Sequence, residues 1–242
     1  MFVRLCKKIV PLLLFTGLLV GCETTHIKLD SVFWENKSSK IAIGITPFPL
    51  MGHTYKVINR GALTKYVYVP LPSSTSKTDD FMDENLTRFV NGFDYSEFAT
   101  IKSIFLDEFV KRGMQAFSLD DVIFAPKFQS LLIAHSNPGS VASLRQETNA
   151  DYLILFEVKE CGLSGVFRPF STPTRLEVIL SVQAYLIDLH SSEDKWKYLQ
   201  LSTVRIQKDW IQPPDYPNIK RAFHESITKT INELNPAFFK QF

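Results

Sequence analysis

Cys22 is the residue whose type and position say most about function, because it directly follows a short apolar run and a small residue. Basic side chains occur within residues 1–8, and residues 9–20 are mostly apolar. A helix over that run spans about 18 Å, whereas the hydrocarbon core of a bilayer is roughly 30 Å thick. The segment therefore has the proportions of a secretory signal rather than of a spanning helix, and Gly21 supplies the small residue at which such signals are cleaved.

The quartet Leu19-Val20-Gly21-Cys22 resembles the lipobox of bacterial prolipoproteins. The resemblance implies cleavage between Gly21 and Cys22, a diacylglyceryl group on the thiol, and an N-acyl chain such as palmitate on the new amino terminus. The alternative is an ordinary secretory signal or an uncleaved anchor in which Cys22 has no role. Glu23 stands where the family's sorting rule places Asp for inner-membrane retention. The resemblance therefore implies a lipid anchor in the outer membrane, with the protein facing the periplasm.

Composition limits the remaining chemistry. The net charge of +2 for 242 residues includes the basic residues of the predicted signal, so the mature chain is nearly neutral. Without an excess of basic residues, nucleic acid is not expected as a partner. With Cys6 removed and Cys22 acylated, Cys161 would be the one cysteine left, and no intrachain disulfide could form. Cys161 follows an apolar run, which favours a small buried side chain over a nucleophile.

No set of residues in the sequence predicts an enzyme or a metal site. A Gly-x-Ser-x-Gly nucleophile turn is missing, and the glycines lack the spacing of a phosphate-binding loop. The acidic residues between 79 and 84 lack the glycine and the spaced oxygen ligands of a calcium loop. We therefore expect no catalytic residues, no metal, and no cofactor beyond the acyl chains on Cys22. The histidines, expected at surfaces or in loops, are His26, His53, His135, His190 and His224.

Two aromatic stretches are candidate partner-binding surfaces. Residues 163–173 are predicted to form a hairpin loop that carries Phe167, Arg168 and Phe170, and residues 210–216 carry Trp210 and Tyr216. Exposed aromatic side chains and arginine are enriched in protein interfaces. The alternatives are that the phenylalanines plug the domain's own core, and that the second stretch is a rigid linker packing the last helix.

The strands and helices that must position these residues are predicted from hydrophobic patterns. Strands are predicted at 41–45, 66–69, 152–158, 176–188 and 196–206, and a strand followed by a turn is predicted at 117–124. A helix is predicted to be capped by Ser96 and to end before Gly113, with Phe98, Ile101, Phe105 and Phe109 on one stripe. A second helix is expected over 140–148. The last helix has a stripe at Ile219, Phe223, Ile227 and Ile231, and we expect Pro236 to end it.

The order of these elements predicts the domain organisation. Residues 1–21 form the signal, residues 22–40 a lipidated tether, and residues 41–242 a single domain with an insertion at about 50–95. Helices set apart from an antiparallel hairpin indicate an α+β fold, a mixed sheet covered by amphipathic helices.

Four segments resemble a group of envelope lipoproteins: the strand at 41–45 with Pro47-Phe48, the helix end at 108–113, the Asn-Ala-Asp-Tyr-Leu-Ile-Leu run at 149–155, and Tyr-Leu-Ile-Asp at 185–188 before Trp196. That group contains the curli-secretion channel lipoprotein, small assembly lipoproteins, and the N-terminal domain of the Tol-Pal translocation protein. Asn149 departs from the group's glycine, and the alternating strand pairs of a channel are lacking.

The resemblance implies a non-enzymatic, lipid-anchored periplasmic subunit or accessory of an outer-membrane assembly, for secretion or envelope transport. Its partners would be the membrane and other envelope proteins or further copies of the chain. The alternative function is a ligand-binding or transport auxiliary lipoprotein that carries a lipid or peptide. A continuous apolar cavity, rather than a filled core, would distinguish that alternative.

Overall fold

The computed structural model describes residues 27–46, 53–57, 65–69, 89, 92–119, 138–167, 175–207 and 215–240. Within them the fold is α+β, as predicted: a mixed seven-stranded sheet with helices. The helices are α1 (Val32–Glu35), α2 (Thr100–Lys111), α3 (Pro138–Thr148) and α4 (Pro217–Phe239), and a 3-10 turn (Ser96–Ala99) precedes α2. The strands are β1 (Lys40–Ile45), β2 (His53–Val57), β3 (Lys65–Val69), β4 (Gln115–Ser118), β5 (Tyr152–Phe167), β6 (Arg175–Asp188) and β7 (Asp194–Arg205).

β5 organises the sheet. Along one side it pairs antiparallel with β6, which in turn pairs antiparallel with β7. On its other side β5 pairs in parallel with β1 through residues 152–156 and with β2 through residues 164–167. β4 lies parallel to β1, and β3 lies antiparallel to β2. The predicted insertion therefore contributes two strands that extend the same sheet.

The prediction of a hairpin loop beginning at residue 163 is wrong, because β5 continues as a strand to Phe167. Gly162 and Gly165 lie within this part of β5 and pair with β6. A bulge between Val158 and Glu160 shifts the register. The shift returns Cys161 to the side of the sheet that Val158 faces, so the apolar pattern continues across the bulge.

α2 and α4 cover one face of the sheet. The predicted stripe Phe98, Ile101, Phe105 and Phe109 is completely buried there. The predicted cap is wrong: the Asp94 carboxylate accepts hydrogen bonds from the Ser96 N–H and hydroxyl, and α2 begins only at Thr100, after the 3-10 turn.

The prediction that Pro236 ends the last helix is also wrong. α4 continues to Phe239, and Phe238 and Phe239 are buried in its last turn. Pro236 lacks an N–H to donate to the preceding turn, which normally disfavours a helix at that point. Burial of the two phenylalanines explains why the last turn remains helical.

α3 covers the other face of the sheet at the end where β5 begins. Its Val141 and Leu144 are buried together with Leu153 and Leu155 of β5 and Ile187 of β6. No helix among the described residues is both long enough and apolar enough to cross a membrane.

Candidate interaction surfaces

The segment that precedes β1 is packed against the domain. Leu29 and Phe33 are buried, and the Lys197 N–H of β7 donates a hydrogen bond to the Ile27 carbonyl at 3.3 Å. Residues 27–39 therefore do not form the free tether that was predicted for residues 22–40. The apolar side chains that looked isolated in a polar stretch belong to the core.

Aromatic contacts fix this segment in place. The Phe33 ring lies 5.2 Å from Tyr152 at the start of β5, and 6.3 Å from Phe238 in the last turn of α4, between ring centroids. Phe109, in the last turn of α2, lies 6.5 Å from Phe33. We call this region the α1 end of the domain: α1, the last turns of α2 and α4, and the start of β5.

Arg112 packs across the α1 end. Its guanidinium carbon lies 5.1 Å from the ring centroid of Trp34 and 5.2 Å from that of Phe239, and the group donates a hydrogen bond to the Phe239 carbonyl. A guanidinium over an aromatic face attracts the ring electrostatically. Arg112 therefore joins α1, α2 and the end of α4 in one contact.

The layer beneath α2 and α4 is filled with aromatic side chains. The ring centroids of Phe105 and Phe156 are 4.9 Å apart, those of Trp196 and Phe238 are 4.8 Å apart, and those of Phe93 and Phe223 are 4.7 Å apart. These are contact distances for aromatic pairs. In this described layer the phenylalanines fill the core, which disfavours the carrier alternative there.

β7 presents a long sheet edge. One side pairs with β6, and on the other side the pairing among the described residues is the bridge to Ile27. Residues 199–205 thus offer an edge of about 23 Å. Leu201 is 58% exposed there, and Arg205 is the one charged residue of the stretch. Proteins usually protect such edges with charges, proline or bulges, so a weakly protected edge marks a site for pairing with another chain.

Two histidine–carboxylate pairs lie on the surface. His190 Nε2 is 2.9 Å from Asp151 Oδ1, and the Asp151 carboxylate also accepts the Lys40 N–H at 2.9 Å. Partial burial alone would raise the pKa of Asp151, but the hydrogen bonds from Lys40 and His190 outweigh it and lower that pKa. These contacts join the starts of β1 and β5 to the turn between β6 and β7.

The second pair joins His224 of α4 to Glu97 of the 3-10 turn, and Phe93 lies 5.4 Å from the His224 ring between centroids. Both histidines are at the surface, as predicted for them. Within the described ranges no three His, Cys, Asp or Glu side chains could hold a metal ion together. Both pairs therefore act as surface links between elements.

Cys161 is buried, as predicted. Burial raises the pKa of its thiol to about 12, although a hydrogen bond with Tyr95 acts in the other direction. A thiol with that pKa stays protonated near neutral pH and is a poor nucleophile.

The structure describes only some of the predicted site residues. Gly21, Cys22, Arg168, Phe170 and Trp210 lie outside the described residues, and for Phe167 the description covers the backbone of β5 alone. Tyr216 is 1% exposed and directly precedes α4. Its position corrects the partner-contact interpretation and fits the alternative in which this stretch packs the last helix.

Sequence reasoning missed the β7 edge and the α1 end. Leu201 sits in a strand that was predicted, but which strand lies at an edge depends on pairing between distant segments. The α1 end had a detectable signal, because apolar side chains recur at 27, 29 and 32–34 within an otherwise polar stretch.

No protein-family model and no curated protein sequence matches the chain. Three solved structures illustrate how far this chain resembles known proteins. The hypothetical protein CT253 from Chlamydia trachomatis is 9% identical with a TM-score of 0.41, covering 84% of this chain and 100% of that one. Lipoprotein GNA1162 from Neisseria meningitidis is 13% identical with a TM-score of 0.33, covering 78% and 99%. The LpoB C-terminal domain from Salmonella enterica is 9% identical with a TM-score of 0.24, covering 68% and 82%.

The similar chains thus include a bacterial lipoprotein. All three TM-scores lie below 0.5, so the likeness carries neither a family nor an activity over to this chain. The comparisons assign no family.

Proposed function

We propose that the chain is a non-enzymatic, lipid-anchored periplasmic subunit of an outer-membrane assembly, and that it contacts its neighbours through the outer edge of β7. The observation that carries this proposal is the edge at residues 199–205, with Leu201 exposed and a single charged residue. Unpaired strand edges recruit other strands because their N–H and C=O groups are already aligned for pairing.

The sequence supports the anchor. Acyl chains on Cys22 would hold the protein at the leaflet, each buried methylene contributing roughly 0.8 kcal/mol. The likeness of residues 149–155 and 185–188 to the curli-secretion and Tol-Pal group is consistent with service in secretion or envelope transport. The outer membrane is the location that Glu23 favours under the sorting rule.

The partner strand would be supplied by another envelope protein or by a second copy of this chain. An added strand along residues 199–205 would place its side chains next to Leu201 and Thr203, both exposed on the same face of β7. Main-chain hydrogen bonds would give affinity, and the exposed leucine would give an apolar anchor.

A pair of surface substitutions tests this function. Leu201→Lys puts a charge on the edge, a device that natural sheets use against edge pairing. Ala142→Lys, on the exposed side of α3, adds the same charge away from β7. In the membrane-anchored protein we expect the detergent-solubilised wild type and Ala142→Lys to migrate as a large complex, and Leu201→Lys to migrate as a monomer.

A photo-crosslinking residue at position 201 should form adducts with a neighbouring chain, and the same residue at position 142 should form few. Mass spectrometry of the adducts identifies the partner. A wild type that solubilises as a monomer, or adducts that are equally abundant at both positions, would overturn the proposal.

A further inference from the structure

The distance that the chain can span between Cys22 and the domain is short. Four residues lie between Cys22 and Ile27, and the five residue steps from Cys22 to Ile27 reach at most about 18 Å when the chain is fully extended. The Ile27 carbonyl is hydrogen-bonded to β7, and Leu29, two residues later, is buried. The point at which the domain holds its N-terminal segment therefore lies within about 18 Å of the residue that carries the lipid.

The domain is long by comparison. β5 alone has 16 residues, which corresponds to about 50 Å of strand. A connection that short keeps the N-terminal attachment point of the domain within about 18 Å of the lipidated residue, so we expect one surface of the domain to lie against the bilayer. The two candidates are the α1 end, with the domain upright, and the β7 edge, with the domain on its side.

Exposed apolar side chains favour the α1 end. Among the residues whose side-chain exposure the structure describes, four large hydrophobic side chains are exposed: Ile27, Val32, Val110 and Leu201. Ile27 and Val32 belong to the docked N-terminal segment, and Val110 to the last turn of α2, beside Phe109, which contacts Phe33 and Trp34. Val32 is 60% exposed and Val110 is 65% exposed.

We infer that the α1 end is a membrane-contacting surface, and that Val32 and Val110 lie against lipid when the protein is anchored. This inference rests on the proposed lipid anchor and adds the orientation of the domain: α1 faces the bilayer, and β5 rises away from it. The β7 edge then stands sideways, where a neighbour anchored in the same leaflet can pair with it.

The contact should be apolar rather than electrostatic. Acidic and basic side chains are mixed at this end, with Glu35 beside Lys37 on the N-terminal segment and Glu108 paired with Lys111 on α2. Beyond these pairs Arg112 adds one positive charge, which is held over the rings of Trp34 and Phe239. We therefore expect the contact to persist on vesicles of zwitterionic phosphatidylcholine.

Fluorescent labels that respond to lipid test the orientation directly. Val32→Cys, Val110→Cys and Leu201→Cys give three labelling sites of similar exposure, two at the α1 end and one on the β7 edge. Cys161 is buried and would remain unlabelled, and Cys22 is blocked by its thioether in the acylated protein. The purified acylated protein is reconstituted into phosphatidylcholine vesicles that contain a lipid with a headgroup spin label.

We expect the spin label to quench the fluorescence at positions 32 and 110 at least twice as strongly as at position 201. Quenching that is equal at the three positions, or stronger at 201, would overturn the orientation while the anchor stands. A protein that carries no acyl chain and does not float with vesicles would overturn the proposed function and this inference with it.

Discussion

The two faces of the sheet are built differently. The face under α2 and α4 is packed with large aromatic side chains, among them Phe105, Phe109 and Phe238, all completely buried. The face under α3 is packed with smaller side chains, such as Ala42, Val141 and Leu144, and it involves the start of β5 and the end of β6. One face therefore supplies the larger share of the buried apolar surface, and we expect the stability of the domain to depend on it more strongly.

The helices that cover the two faces also end differently. α2 is followed by Gly113 with φ of +72°, and α3 is followed by Asn149 with φ of +52°. Both residues adopt the left-handed conformation that commonly ends helices. Glycine adopts it without a Cβ penalty, whereas asparagine is one of the few other residues that tolerate it.

The largest expected effect separates the two faces. Phe238→Ala should lower the free energy of unfolding by about 3 to 5 kcal/mol, because it leaves a cavity among six aromatic rings. Leu144→Ala, on the α3 face, should cost about 2 to 3 kcal/mol, since its surroundings are smaller and can close around it. Urea unfolding of a chain that starts at residue 23, and so carries neither the predicted signal nor the acylated cysteine, measures both. An equal or larger loss for Leu144→Ala would contradict the comparison.

The helix ends give a smaller effect. A Cβ at Gly113 would meet no atom within 4 Å, so Gly113→Ala should be destabilising by about 1 kcal/mol through its left-handed backbone alone. Gly113→Asn should lose less stability than Gly113→Ala, because asparagine tolerates the left-handed conformation. For the same reason Asn149→Gly should change stability by less than about 0.5 kcal/mol. Thermal unfolding measures the set, and a Gly113→Asn variant less stable than Gly113→Ala would refute the explanation.

The smallest expected effect is a pH dependence on the side of the domain where the turn between β6 and β7 lies. Because the pKa of Asp151 is lowered in the folded protein, its ionised form contributes stability above the unfolded pKa of about 3.9, and this contribution is lost as pH falls through the folded pKa. Asp151→Asn should therefore be less stable than the wild type at pH 7, and the difference should shrink towards pH 3.

His190→Gln sharpens that measurement, because it removes one hydrogen bond to Asp151 and leaves the Lys40 N–H in place. Its urea midpoint should respond to pH less steeply than that of the wild type and more steeply than that of Asp151→Asn. Parallel pH curves for the wild type and Asp151→Asn would show that the carboxylate contributes nothing specific.

The periodic elements were predictable because local pattern determines them. The stripe of α2, the stripe of α4, and the strands at 41–45, 176–188 and 196–206 all match the structure closely. The α+β class followed from their order. The predictions were wrong where contacts between distant residues determine the local structure. Gly162 and Gly165 remain in a strand because β6 pairs with them. Pro236 remains in a helix because Phe238 and Phe239 are buried.

The candidate surfaces were harder to predict than the fold. Tyr216 looked like a contact residue because aromatic type is visible in a sequence and burial is not. Leu201 looked like any strand residue, since the position of β7 at the edge follows from pairings across the whole sheet. The docking of Leu29 and Phe33 needs the ends of α2 and α4 to be in place, and these meet only in the folded domain.

The lipid anchor at Cys22 is the claim on which the function and the orientation both depend. Mass spectrometry of the N-terminal peptide from the membrane fraction tests it most directly, with Cys22→Ala as the control. The account requires a mature chain that begins at Cys22 and carries a diacylglyceryl group and an N-acyl chain, and a Cys22→Ala chain without them. A wild-type chain that keeps residues 1–21, or that begins at another residue with an unmodified Cys22, would contradict it.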